Sequence, residues 1–133
     1  MAHYPMYYTV TTSKPAEHAA RDLEAAVKRH GFGVLHVYDL KQTLAGKGVV
    51  LPNECRIFEV CNPQQAAKVL AADMSLNMAL PCRVSVYEQD GATRLGTLQP
   101  TELLASLSTD PELAAVAADV ERALVAMIDE AAR

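Results

Sequence analysis

The sequence predicts an α+β fold: a two-layer sandwich in which helices back one face of a five-stranded sheet. Three observations carry this expectation. Five short segments alternate apolar and polar residues at the period of a strand, and three longer ones repeat at the period of a helix. Proline follows a capping residue at helix starts, as in Asn62-Pro63 and Asp110-Pro111. Asp90-Gly91 sits between two alternating runs, the strongest short-range hairpin signal.

Taken in order, Pro5 to Thr11 is the first expected strand, on the β-branched and aromatic run Tyr7-Tyr8-Thr9-Val10. Ser13-Lys14-Pro15 reads as a cap with proline in the first turn, opening a helix that runs to about His30. Its stripe is Ala16, Ala19, Ala20, Leu23, Ala26 and Val27, and Gly31 ends it. Gly33 to Leu40 is a second strand, with Val34, His36, Tyr38 and Leu40 expected on one face and Leu35, Val37 and Asp39 on the other. Asp39 then starts a short helical turn through Ala45. Glu54 to Cys61 is a third strand, with Arg56, Phe58 and Val60 opposite Cys55, Ile57, Glu59 and Cys61.

Asn62 caps a second main helix, strongly apolar at Ala66, Ala67, Val69, Leu70 and Ala71, fading near Asp73. Met74 to Pro81 is expected to be a packed loop, because Pro81 breaks its alternating pattern. Cys82 to Glu88 and Ala92 to Leu98 form the hairpin, and Thr101 to Leu107 is a short helix after Pro100. The last helix opens at Asp110-Pro111-Glu112 and runs to about Ala131, with Leu113, Val116, Ala117, Val120, Leu124, Met127 and Ile128 along one side. With no linker or repeat between these elements, residues 1–133 read as one domain.

Composition narrows the function classes. A chain of 133 residues with half of them hydrophobic can bury a core without staples. Its formal charge of −4 and its lack of a basic footprint predict no nucleic-acid partner. No apolar run reaches the roughly 20 residues needed to span a bilayer, so no membrane partner is expected. The start of the chain has no basic segment followed by an apolar stretch, and three cysteines cannot all pair within one chain; both predict a cytoplasmic protein.

Strand Arg56-Ile57-Phe58-Glu59-Val60 followed by Asn62-Pro63 resembles the DUF302 family of domains of unknown function, as does Leu80-Pro81-Cys82-Arg83-Val84-Ser85-Val86-Tyr87-Glu88 before the Asp90-Gly91 turn. The similarity extends over about positions 8 to 130. The family pattern often has glycine where this chain has Cys61. The resemblance implies a fold like the TATA-binding-protein half-domain, with a curved, mainly antiparallel sheet backed by helices, often as a homodimer. It implies no activity and no cofactor.

Cys61 ends a strand one residue before a helix cap, where a helix dipole can lower a thiol pKa. That makes it the candidate centre of a thiol-dependent or redox-linked enzyme, beside the plainer reading of a small buried hydrophobe. Cys55 is about 20 Å away along a regular strand, which rules out a shared disulfide or metal within it. Cys82 shares the parity of core residues Val84 and Val86. Without CxxC or HExxH spacing, no metal site is expected. Gly31-Phe32-Gly33 precedes a strand rather than a helix, which is the wrong order for a dinucleotide loop.

Arg83 and Tyr87 point away from the core face of their strand, and Tyr38 shares parity with His36. If they converge, with Glu59 and Glu54 nearby, Arg83 would hold an anion and the tyrosines would stack or hydrogen-bond. The same face could remain an ordinary solvated surface, or join two subunits. His3, His18 and His30 form no catalytic set. Two functions therefore stand: a homo-oligomeric domain binding a small ligand or protein partner at Arg83, Tyr87, Tyr38 and His36, or an enzyme centred on Cys61.

Overall fold

A computed structural model of the chain describes residues 6–133. Alternation at the expected places produces five strands: β1 (Tyr7–Thr12), β2 (Gly33–Asp39), β3 (Cys55–Cys61), β4 (Cys82–Gln89) and β5 (Ala92–Leu98). They form one sheet in the order β1-β5-β4-β3-β2, and every pairing is antiparallel. Among the described residues, five α-helices accompany it: α1 (Ala16–Arg29), α2 (Leu40–Ala45), α3 (Pro63–Ala72), α4 (Pro100–Ala105) and α5 (Pro111–Ala132). The first expected strand's Pro5 lies outside the described residues.

Helices α1 and α5 cover the sheet because their apolar stripes match its inward-facing rows. All six residues expected on the α1 stripe are buried. Val84, Val86 and Leu95 from the central strands meet Leu23, Val27, Leu124, Met127 and Ile128, and all eight are fully enclosed. Four alanines on the buried face of α1, Ala16, Ala19, Ala20 and Ala26, leave little side-chain bulk between that helix and its neighbours. The β4–β5 hairpin turns on Asp90 and Gly91, whose φ angles of +53° and +77° give the left-handed pair that a tight hairpin needs. At Gly96 the sheet has no room for a side chain: a Cβ there would stand 2.7 Å from Thr9 Cγ2 across the β1–β5 pairing.

A second apolar cluster gathers Val69, Leu76, Leu104, Leu113 and Ala117 from α3, α4, the first half of α5 and a 3₁₀ helix at Met74–Ala79. That 3₁₀ helix replaces the packed loop expected from the sequence. The Asp73 carboxylate accepts the Ser75 N–H at 2.9 Å and caps it, well before Pro81 can interfere. Two starts also differ. Pro15, not Ser13, is the cap residue of α1 and contributes no side-chain bond, while Pro100 itself is the first residue of α4.

Strand β2 corrects another expectation. Its register shifts between Val34 and His36, where a bulge inserts an extra residue. Val34 therefore lies opposite Val60 on the helix side, whereas His36 and Tyr38 lie opposite Glu59 and Ile57 on the outer side. Simple alternation had put all three on one face.

Candidate functional site

The outer sheet face is built by strand parity. Glu59 pairs across β3–β4 with Arg83 and across β2–β3 with His36, so one row runs His36, Glu59, Arg83. Tyr38 is two residues from His36, and its ring meets the imidazole edge-on at 4.4 Å. The Tyr38 hydroxyl donates to Glu59 Oε1 at 3.1 Å, and Arg83 Nη2 stands 3.6 Å from Glu59 Oε2. The bond to the Glu59 carboxylate pushes the Tyr38 phenol above its ordinary pKa. Three of the four residues proposed from the sequence thus converge, with Glu59 at their centre. Tyr87 does not join them. It lies four residues along β4, roughly 13 Å away at the rise of a strand, between Cys55 and Arg94. Glu54 is elsewhere too, with its backbone N–H donating to Glu88.

A cavity of about 770 Å³ opens beside this face, at the end of the sheet where β3 stops and β4 begins. Its walls come from both apolar clusters: Val60 and Val120 on the sheet side, Val69, Leu76, Leu104 and Ala117 on the other. Ala66, Ala79 and Ala117 on its lining have small side chains that leave this space between the elements. Only Val69 of α3 is buried, although the helix is apolar over most of its length, because Ala66 and Leu70 look into this space rather than into packed neighbours. The mouth is apolar as well, with Leu35, Met78, Leu98 and Leu107 each more than half exposed, Met78 at 81%. Arg83 lies on the lining and, among the described residues, is its only charged one. Gln65 Oε1 is buried without a hydrogen-bond partner. Of the residues proposed from the sequence, Arg83 and Cys61 reach the cavity; His36, Tyr38 and Tyr87 do not. Sequence reasoning expected a partly apolar groove beside the open sheet, edged by Arg83 or Tyr87, but gave none of the apolar walls from α3, α4, α5 and the 3₁₀ helix. Their one visible signal was Met74, Leu76, Met78 and Leu80, more apolar weight than a surface loop needs.

Cys61 and Cys82 both line the cavity, and all three cysteines are free thiols. Burial pushes the Cys61 thiol above its ordinary pKa, and pushes Cys82 up to about 11, with a smaller contribution from the nearby Cys61. The helix-dipole lowering expected at Cys61 is therefore not the dominant effect. The reason is local: every N–H of the first turn of α3 is already committed. Pro63 has none, Gln64 and Gln65 donate to Asn62 Oδ1 at 3.1 and 3.2 Å, and Ala66 donates to the Asn62 carbonyl at 3.0 Å. Cys55 ends the far side of β3, and burial raises its thiol too.

The remaining histidines have structural partners. His18 stands 3.3 Å from Asp22, and His30 closes α1 with its Nε2 2.9 Å from Glu130; His3 lies outside the described residues. Among the described residues, no three His, Cys, Asp or Glu side chains are grouped to hold a metal ion, and no helix is long and apolar enough to cross a membrane.

Comparison with known proteins adds family and fold. No curated protein matches the chain. The crystal structure of the uncharacterized conserved protein DUF302 from Bacillus stearothermophilus is similar at 38% identity, covering 96% of this chain and 98% of that one, with a TM-score of 0.88. The curved antiparallel sheet backed by helices is thus shared over nearly the full length of both. Residues 8–131 match the domain of unknown function DUF302, and on that match the chain belongs to the DUF302 family.

Proposed function

We propose that this chain is a binding domain that takes a small, largely apolar molecule into the cavity at the end of its sheet. The observation that carries the reading is a cavity of about 770 Å³, largely apolar in its walls and open through a mouth rimmed by exposed apolar side chains. Protein interiors are close-packed, and a void of this size forfeits dispersion contacts unless something enters it. Its volume falls within the roughly 300–1,000 Å³ typical of small-molecule sites. The unpartnered Gln65 Oε1 adds a polar group that an occupant or a water could satisfy. Raised thiol pKa values at Cys61 and Cys82 favour occupancy over covalent thiol chemistry, since the thiolate is the reactive form.

The test is saturable binding of a neutral apolar probe, N-phenyl-1-naphthylamine, followed by its fluorescence. The wild-type chain should bind it at one site, and Ala66→Phe should abolish binding while circular dichroism stays unchanged. No saturable signal in the wild type, or the same signal in the variant, would reject the reading.

A second reading rests on the outer sheet face, where Tyr7 and Leu98 are exposed as a cross-strand pair on β1 and β5 and Tyr38 is exposed on β2 at the opposite edge. It takes that face, with His36, Tyr38, Arg83 and Tyr87, as a contact between two copies of the chain. Light scattering at micromolar concentration decides it: a dimer that Tyr38→Glu dissociates supports the contact, and a clean monomer removes it.

A further inference from the structure

The charge around the cavity is asymmetric. Its walls are mostly apolar, with Asn62, Gln65 and Ser75 as neutral polar groups, and among the described residues the one charged side chain on them, Arg83, stands at the mouth 63% exposed. Glu59 engages only Nη2, at 3.6 Å, longer than the roughly 2.7–2.9 Å of a charge-assisted hydrogen bond. A guanidinium has five donors in a planar fork that fits a carboxylate bidentately, so Arg83 keeps donors for an incoming anion. Glu59 is itself held by Tyr38 and does not line the cavity.

Resting on the reading of the cavity as a ligand site, we infer that its occupant is a single-tailed anionic amphiphile, with its hydrocarbon body in the cavity and its carboxylate on Arg83. The geometry suits both ends of such a molecule. The tail replaces missing dispersion contacts along Val69, Leu76 and Leu104, and crosses the exposed rim at Leu35 and Met78. The head stays at the surface, where a carboxylate keeps part of its hydration and avoids the cost of full burial. The ligand is a free molecule rather than a bilayer surface: a chain of net charge −4 with one cation at the mouth lacks the basic cluster that anionic membranes select.

The experiment titrates the full chain, loaded with N-phenyl-1-naphthylamine, with dodecanoate, dodecanol and dodecylamine, all below micelle formation. Dodecanoate should displace the probe about tenfold more tightly than dodecanol, the discrimination expected of one charge-assisted contact at a partly exposed site. Dodecylamine should be the weakest of the three. Arg83→Gln should erase the preference for dodecanoate and leave dodecanol unchanged, and Arg83→Lys should keep part of it. Glu59→Gln, which removes the competing carboxylate, should strengthen dodecanoate alone. Equal affinity for dodecanoate and dodecanol in the wild type overturns the inference while the apolar site stands; so does an Arg83→Gln variant that weakens both alike. Failure of all three to displace a bound probe overturns the inference too. A chain that binds no probe at all fails the underlying reading first. Binding to phosphatidylglycerol vesicles without uptake of dodecanoate would assign the mouth to a membrane and overturn the inference.

Discussion

Replacing Ala66 with leucine sets two roles of the cavity against each other. Leucine adds three carbon atoms to a side chain that lines the cavity. At about 0.8 kcal/mol per buried methylene, complete burial would stabilise the fold by roughly 2.4 kcal/mol. Ala66 is only partly buried, so about half of that is a realistic return, and leucine's slightly poorer helix propensity subtracts roughly 0.2 kcal/mol. The expected net gain is about 1 kcal/mol, read as a rise of roughly 3–5 °C in Tm for a chain of this length. The assay pairs urea and thermal unfolding with probe titration: stability should rise while probe affinity falls at least tenfold. Ala20→Leu is the control, the same chemical change on the closed face of α1, where the alanine is 4% exposed. It should destabilise by roughly 1–3 kcal/mol through overpacking. If Ala66→Leu also destabilises by about 1 kcal/mol or more, with probe binding intact, then the space is not available to a side chain and the reasoning fails.

Gly96→Ala should cost roughly 1–3 kcal/mol in urea unfolding, because the new Cβ would stand 2.7 Å from Thr9 Cγ2 and 3.1 Å from the Tyr8 carbonyl; a neutral result would mean that β1 moves freely. Iodoacetamide should label Cys82 very slowly at pH 7.5 in the folded chain, with a rate still climbing above pH 9, since its thiol is raised to about 11; fast labelling at pH 7 would contradict its burial. His30 and then Arg29 hold the Glu130 carboxyl below its ordinary value of 4.5. A depressed acid stabilises the fold above its unfolded pKa and loses that contribution as pH falls through the folded one. Glu130→Gln should therefore flatten part of the stability loss below about pH 4.5, as followed by urea unfolding across pH.

Much of the fold was legible because its signals are local. The α1 stripe could be read residue by residue, since helical period and alanine content coincide there with what the core accepts. The Asp90-Gly91 turn was legible because few other dipeptides tolerate its backbone. The β2 bulge was not. A one-residue insertion leaves no mark in composition, yet it reverses the face of every residue on one side of it. At the candidate site, the meeting of His36, Tyr38, Glu59 and Arg83 depended on that reversal and on strand order, both tertiary facts. Cys61 misled in a different way. Its place before a helix cap was read correctly, but Asn62, by capping so well, consumes the donors that would have stabilised a thiolate there. A groove edged by Arg83 could be expected from the sequence, but its walls could not, because they are a property of what several distant elements fail to fill.

Helix α5 deserves its length for a reason that lies outside any one contact. Leu113 and Ala117 belong to the cluster beside the cavity, and Leu124, Met127 and Ile128 to the core under the sheet. Twenty-two residues at about 1.5 Å of rise each make a rod roughly 33 Å long, and both halves of the interior are pinned to it. A break anywhere along that rod would orphan one half or the other. Amide exchange should consequently report α5 opening as a single unit, and slowing at its distant end when the other end is wedged by a guest.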